Sequence, residues 1–394
     1  MTFATDLQNL LEHACKTTWS QFDWVKANAS LYGLTKRATD KWAAPGEPAF
    51  VSLLAEYPFL RRRLAKIIQG HLSPGASAGT PLVSGVFVHQ KPKVRFGKPA
   101  TQVDLGDLLF VRHHFRTGQA RPEGRALLIQ AKASTTPRTG ALTGRAARQF
   151  DLYADWATPF TFANGEIGLP PSGDRWDFSK GPAPHQLSGL YAVVSSQRSC
   201  KGQKFPDNCP WAVGAALVPE KGLPRDAKAT LSLAAALEGL IAGRHGRPWH
   251  VGADPDDHWS HFVEQVLKRS IAWELQVQRI GGVDLPKKRS ALSFIQSFLS
   301  LEVNAKLMLS PVDRELSFDG HVEDLIASVD SVGRQAKAWA ASIEGADDAP
   351  PEADPAQEGV KGGMSILYVA TFGDEPLAAA QPDWLPAPAA APRA

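Results

Sequence analysis

Apolar residues recur along the first seventy positions with a helical period. In residues 3–19, Leu7, Leu10, Leu11 and Ala14 fall on one stripe. Asp6 stands in the first turn, where a carboxylate meets the positive end of the helix dipole. Residues 48–70 repeat the pattern with Phe50, Leu53, Leu54, Leu60, Leu64, Ile67 and Ile68, entered after Pro48. Pro58 marks a point where such a helix can kink. Residues 73–81 (SPGASAGTP) read as a loop. The period then shortens. Residues 82–89 (LVSGVFVH), 107–115 (DLLFVRHHF) and 124–133 (GRALLIQAKA) are short runs of Val, Leu, Ile and Phe divided by Gly, Pro and charged residues, which predicts strands. The short connection RTGQARPEG predicts an antiparallel hairpin between the second and third. A helix over 143–156 and strands over 188–196 and 211–218 follow, so the middle of the chain is mixed α/β.

From residue 226 the pattern is mainly helical. Residues 227–242 carry Leu231, Leu233, Leu237, Leu240 and Ile241. Residues 257–279 begin at the capping Asp256 and Asp257 and carry Trp259, Phe262, Val263, Val266 and Leu267 on one stripe. Residues 290–302 and 321–343 are periodic as well. The implied organisation is an N-terminal helical segment (1–47), an α/β domain (48–222), a helical region (223–345), a flexible linker (346–363), a strand-like segment (364–376) and a disordered Ala/Pro-rich tail (377–394).

At 394 residues the chain is long for one core, which favours two domains or one elaborated domain. A net charge of +3 is compatible with a nucleic-acid partner without demanding one. Three cysteines, Cys15, Cys200 and Cys209, are too few for a disulfide framework and fit a reducing compartment. The first residues lack the basic and apolar regions of a signal peptide, and no run approaches the ~18 apolar residues of a membrane span. The expectation is a cytoplasmic protein with no membrane partner.

Three polar residues stand out on the two middle strands. Asp107 opens one; Gln130 and Lys132 stand on the next, two residues apart, so they share a face. Hairpin pairing brings Asp107 to the same end as Lys132. Three apolar residues, Leu127, Leu128 and Ile129, precede the pair and mark a buried strand, where polar positions are costly without a role. Oxygen ligands at 107 and 130 suit Mg²⁺, which keeps several waters and acidifies one of them. A lysine beside them stabilises charge building on a phosphate.

The order DLGDLLFV…LLIQAK, followed by a helix bearing Gln149, resembles the PD-(D/E)xK nuclease superfamily. It looks most like the Gln-x-Lys branch, which includes Mrr-like restriction enzymes and several anti-phage defence nucleases. The resemblance covers about residues 50–220. It implies a restriction-endonuclease-like mixed β-sheet flanked by helices, cutting double-stranded DNA with Mg²⁺ or Mn²⁺. Asp107 would bind metal, Gln130 would replace the usual acidic ligand, and Lys132 would be the catalytic lysine. Glu56 is the candidate for the extra helix carboxylate, against the plainer reading of a solvated side chain. Asp104 is a candidate second acidic ligand, although on an extended chain it points away from Asp107. Arg145 and Gln149, four apart on the following helix, share a face from which they could touch DNA or the site. Gly106 departs from the proline of the family name, and the neutral Gln130 leaves the site less negative. The resemblance also implies a defence or restriction setting; the helical region 226–343 would regulate cutting, recognise a partner protein or form a homo-oligomer.

Lys91, Lys93 and Arg95, with Arg61, Arg62, Arg63, Lys66 and Lys98, form either a phosphate-binding track or a solvated basic surface. His113 and His114 read as core or surface residues. Cys200 and Cys209 read as free thiols in a loop rather than a zinc knuckle. No GxxxxGK[ST] motif is present, so an ATPase would be a separate chain. The rival function is a non-catalytic nuclease-fold subunit whose segment 364–372 docks on a partner's sheet edge. A ribonuclease on the same scaffold is a third reading.

Overall fold

The computed structural model describes residues 2–27, 44–56, 58–71, 81–86, 92–97, 101–115, 123–154, 156, 158–163, 167–181, 183, 188–198, 204–216, 224–272, 278–280, 283–285 and 364–372. The first helix, α1 (Phe3–Ala27), runs two turns past the expected end at residue 19 and buries Phe22 there. The next helical stretch is two helices, α2 (Glu47–Glu56) and α3 (Pro58–His71). The break falls at Pro58, which lacks the N–H that an unbroken helix would use there.

The centre is a mixed eight-stranded sheet in the order β1-β13-β4-β5-β7-β8-β9, with β10 alongside β5. Its strands are β1 (Leu82–Val86), β4 (Leu108–Phe115), β5 (Glu123–Ser134), β7 (Gly189–Ser195), β8 (Trp211–Gly214), β9 (Leu231–Ser232), β10 (Arg247–Trp249) and β13 (Ile366–Phe372). β4 and β5 form the expected antiparallel hairpin, with Leu108 opposite Ile129. β5 runs parallel to β7, and β13 parallel to β4. A separate three-stranded sheet, in the order β3-β2-β6, joins β2 (Lys93–Phe96), β3 (Thr101–Asp104) and β6 (Phe160–Phe162). β11 (Gln278–Ile280) and β12 (Val283–Leu285) make a short antiparallel pair.

Alternation along the strands divides the core between the two faces of the large sheet. Leu108, Phe110, Leu127, Ile129, Leu367 and Val369 face one layer, built from α1, α2, α3 and α5 (Leu233–Ile241). Leu109, Val111, Ala126, Leu128, Tyr191 and Tyr368 face the other. That layer holds α4 (Gly144–Ala154), α6 (His258–Ala272) and the three-stranded sheet. Gly85 touches α2 so closely that a Cβ there would lie 1.8 Å from the Ala55 carbonyl oxygen, so β1 and α2 meet backbone to backbone.

Two expectations need correction. Segment 364–372 is not an arm for a partner's sheet. It fills the slot between β1 and β4 of the chain's own sheet, and both of its edges are already paired. The helical region does not begin as a separate body at residue 223. Asp257 caps α6 as the sequence pattern implies, whereas the helix expected over 227–242 begins only at Leu233, capped by Ser232 after the strand β9; both helices pack on the central sheet. α1 likewise shares the core. The periodic stretches 290–302 and 321–343, the linker 346–363 and the tail 377–394 lie outside the described residues. No described helix is long and apolar enough to cross a membrane.

Candidate active site

The site forms where β5 outruns β4. Past Asp107, whose N–H donates to the Ile129 carbonyl at 2.8 Å, β4 no longer covers that edge of β5. The next two N–H groups on the edge, those of Ala131 and Ala133, are left without strand partners. Two carboxylates replace the missing strand. Asp107 Oδ2 accepts the Ala131 N–H at 2.8 Å, and Glu47 Oε1 accepts the Ala133 N–H at 3.2 Å. Successive edge groups on a strand are ~7 Å apart, so the two carboxylates are held side by side by backbone. The Ala131 carbonyl lies on the same edge, within 3.3 Å of the Gln130 side-chain nitrogen.

Gln130 and Lys132 project from the face that α4 covers. The Gln130 amide nitrogen donates to Asp107 Oδ2. Lys132 Nζ lies 3.4 Å from Glu47 Oε2, with the side chains 20% and 36% exposed. A pair this wet contributes little to stability, which leaves the ammonium free to change partners. The structure thus brings Asp107, Gln130 and Lys132 together. The α2 carboxylate that reaches them is Glu47. Glu56, at the other end of α2, is nine positions away, ~13 Å along the axis, and its side chain lies outside the described residues.

Loss of hydration pushes the Asp107 carboxyl up to about 7. Lys132 and the Ala131 N–H pull it down, and Glu47 and Asp104 add to the rise. Both hydrogen bonds to Asp107 fall on Oδ2, which leaves Oδ1 for another partner. Two buried hydroxyls without hydrogen-bond partners, Tyr153 and Tyr191, lie beneath. Burial raises both phenols well above their ordinary range, and the charge of Asp107 adds to it. The Tyr153 hydroxyl also explains Gly106. A Cβ there would come within 2.7 Å of it and 2.9 Å of Leu128, so a proline fits only if those side chains give way.

The remaining candidates are placed around this centre. The Asp104 carboxylate is not turned to Asp107 but pairs with Arg145 at 3.3 Å, and its carbonyl accepts from Gln149 at 2.8 Å. Gln149 is buried and also meets Gln130, so it belongs to the site rather than to an outer surface. On β2, Lys93 stands opposite Asp104, and Arg95, exposed, stands opposite Gln102. Directly opposed residues share a face, so Lys93, Arg95 and Asp104 lie on the polar side of this small sheet. Lys91 and Lys98 lie outside the described residues. His113 is a core residue, bonded to the Tyr368 hydroxyl at 2.7 Å and packed on Trp249, and His114 bonds Thr371 at 2.9 Å. Cys209 is buried and in no disulfide; Cys200 lies outside the described residues.

The residues fit a hard divalent cation. Among the described residues no three His, Cys, Asp or Glu side chains gather. Mg²⁺ needs only one or two carboxylates plus water and substrate oxygens, and Asp107, Glu47 and the Ala131 carbonyl supply that kind of set. The raised Asp107 carboxyl is a half-buried acid short of positive charge, which such an ion would provide.

A Ser–His contact elsewhere offers no rival chemistry. His258 Nδ1 accepts the Asp177 N–H at 3.0 Å, so its proton sits on Nε2, facing Ser172 Oγ at 3.0 Å. Ser172 in turn donates to Asp256 at 2.6 Å. The imidazole lone pair is turned away from the hydroxyl it would have to deprotonate.

No protein-family model, curated protein or solved structure matches the chain.

Proposed function

We propose that the protein is a metal-dependent endonuclease that hydrolyses DNA phosphodiester bonds, in a prokaryotic defence or restriction setting as its resemblance implies. The observation that carries the reading is the double carboxylate cap on the overhanging edge of β5, with Lys132 beside it. Asp107, Glu47 and the Ala131 carbonyl would hold Mg²⁺. When bound, the ion polarises the phosphate and lowers the pKa of a water. Asp107 and Glu47 would hold the ion with carboxylates already fixed by the Ala131 and Ala133 N–H groups, so little reorganisation would accompany the reaction. Lys132 leaves Glu47 for a non-bridging phosphate oxygen and donates to it as negative charge builds there. Arg145, Lys93 and Arg95 are placed to meet flanking phosphates.

Thermal stabilisation by Mn²⁺ at pH 8 tests this reading without substrate. Wild type should gain several degrees and Glu47→Gln much less, with plasmid cleavage by Glu47→Gln lowered ~100-fold. Equal stabilisation of wild type and Glu47→Gln would remove Glu47 from the site.

A further inference from the structure

We infer that Gln149 locks the side chain of Gln130 in one orientation, so that Gln130 serves the site as a hydrogen-bond donor to Asp107 and not as a metal ligand through its side-chain oxygen. The inference rests on the proposed reading of Asp107 as the cation's carboxylate. It departs from the role that the resemblance implies for residue 130.

The chain of reasoning begins at a group with no choice. The Asp104 carbonyl oxygen can only accept, and Gln149 meets it at 2.8 Å, so the amide nitrogen of Gln149 faces it. The same nitrogen meets the carboxamide of Gln130. A donor there requires an acceptor, so Gln130 presents Oε1 to Gln149. Its amide nitrogen is thereby turned to Asp107 Oδ2 and to the Ala131 carbonyl, both of which accept. Reversing Gln130 would set its oxygen against those two oxygens and its NH₂ against the NH₂ of Gln149. Gln130 is 1% exposed and Gln149 5%, so water cannot repair the mismatches.

A cation at Asp107 changes the balance on one side only. It draws the oxygen of Gln130 toward itself, and it weakens the pull of Asp107 on the NH₂ group. Gln149 is then what keeps the NH₂ group in place. It is a positioning residue: it touches neither the cation nor Asp107 but decides which end of Gln130 they meet.

The full-length protein, labelled with ¹⁵N at glutamine and alanine, tests this by nuclear Overhauser contacts. In wild type, the Gln130 carboxamide protons and the Ala131 backbone N–H point at the same Asp107 oxygen and should show a cross-peak. That cross-peak should persist at saturating Mg²⁺. In Gln149→Met it should be present without Mg²⁺ and lost with it, as Gln130 turns its oxygen to the ion. A wild-type cross-peak that is absent, or that Mg²⁺ abolishes, overturns the inference without need of the variant. So does a Gln149→Met protein that binds Mg²⁺ and keeps the cross-peak. If Mg²⁺ moves neither the Ala131 and Ala133 amide resonances nor the melting temperature of wild type, the metal reading itself fails, and this inference with it.

Discussion

A chain ending before Met364 will not fold to the native state. The reason is the position of β13, inside the sheet and paired on both sides, with β1 beyond it. Ile366, Leu367, Tyr368 and Val369 are all buried, two on each face. Burial of such side chains is worth ~1.5–3 kcal/mol each, so the four together contribute ~6–12 kcal/mol before any hydrogen bond is counted. Whole domains are stable by only ~5–15 kcal/mol. Removing β13 would also strip the ladder from both β1 and β4, and open the core to water from both layers. His113 would lose Tyr368, and His114 and Arg112 would lose Thr371. The expected result is loss of the cooperative thermal transition and of near-ultraviolet dichroism. A truncated chain that melts cooperatively within a few degrees of full length would show that the sheet closes without β13.

The second large effect separates activity from stability at Asp107. On the proposed reading Asp107→Asn should lower cleavage by at least ~1000-fold, since it would remove a charged ligand of the ion. In the absence of metal the same change should stabilise the protein. The carboxyl is raised from 3.8 to about 7, so in that window native Asp107 holds a proton that the unfolded chain has released. The native state is then the more protonated one, and stability falls as pH rises until it levels off above about 7. Asparagine has no such dependence and can still accept the Ala131 N–H. Its advantage should therefore grow across the window and reach a few kcal/mol at pH 8. Urea melts at pH 5 and pH 8 with EDTA check the sign. An Asp107→Asn protein less stable than wild type at pH 8 would mean that the carboxylate is better satisfied than its surroundings imply.

What the sequence made legible follows from how local each signal is. The β4–β5 hairpin, the shared face of Gln130 and Lys132, and α4 were readable because period and turn chemistry are written within a few residues. Glu47 was not. A carboxylate in the first turn of a helix is already explained by the dipole, and its partner N–H at Ala133 is exposed only because β4 stops short of it. The position of β13 was hidden for a similar reason. Its apolar run is visible, but Ile366 pairs with Leu109 across most of the chain, and no local pattern names that partner. β2 and β3 did carry a signal that was passed over. Lys-Val-Arg-Phe and Thr-Gln-Val-Asp alternate with period two around Gly97, in a stretch whose basic residues also fit a phosphate-binding track. The roles of Asp104 and Gln130 were the least legible, because each depends on which atom of a neighbour on α4 it meets. Resemblance supplied the candidate chemistry; it did not supply those atoms.

The most direct test of the account is cleavage of supercoiled plasmid in Mg²⁺ or Mn²⁺ by wild type and Lys132→Ala, with EDTA and an RNA transcript as controls. Wild type should nick or linearise the plasmid and leave the RNA intact. EDTA should stop the reaction, and Lys132→Ala should be slower by ~100-fold or more. A Lys132→Ala protein that cuts as fast as wild type would place the chemistry somewhere other than the overhanging edge of β5.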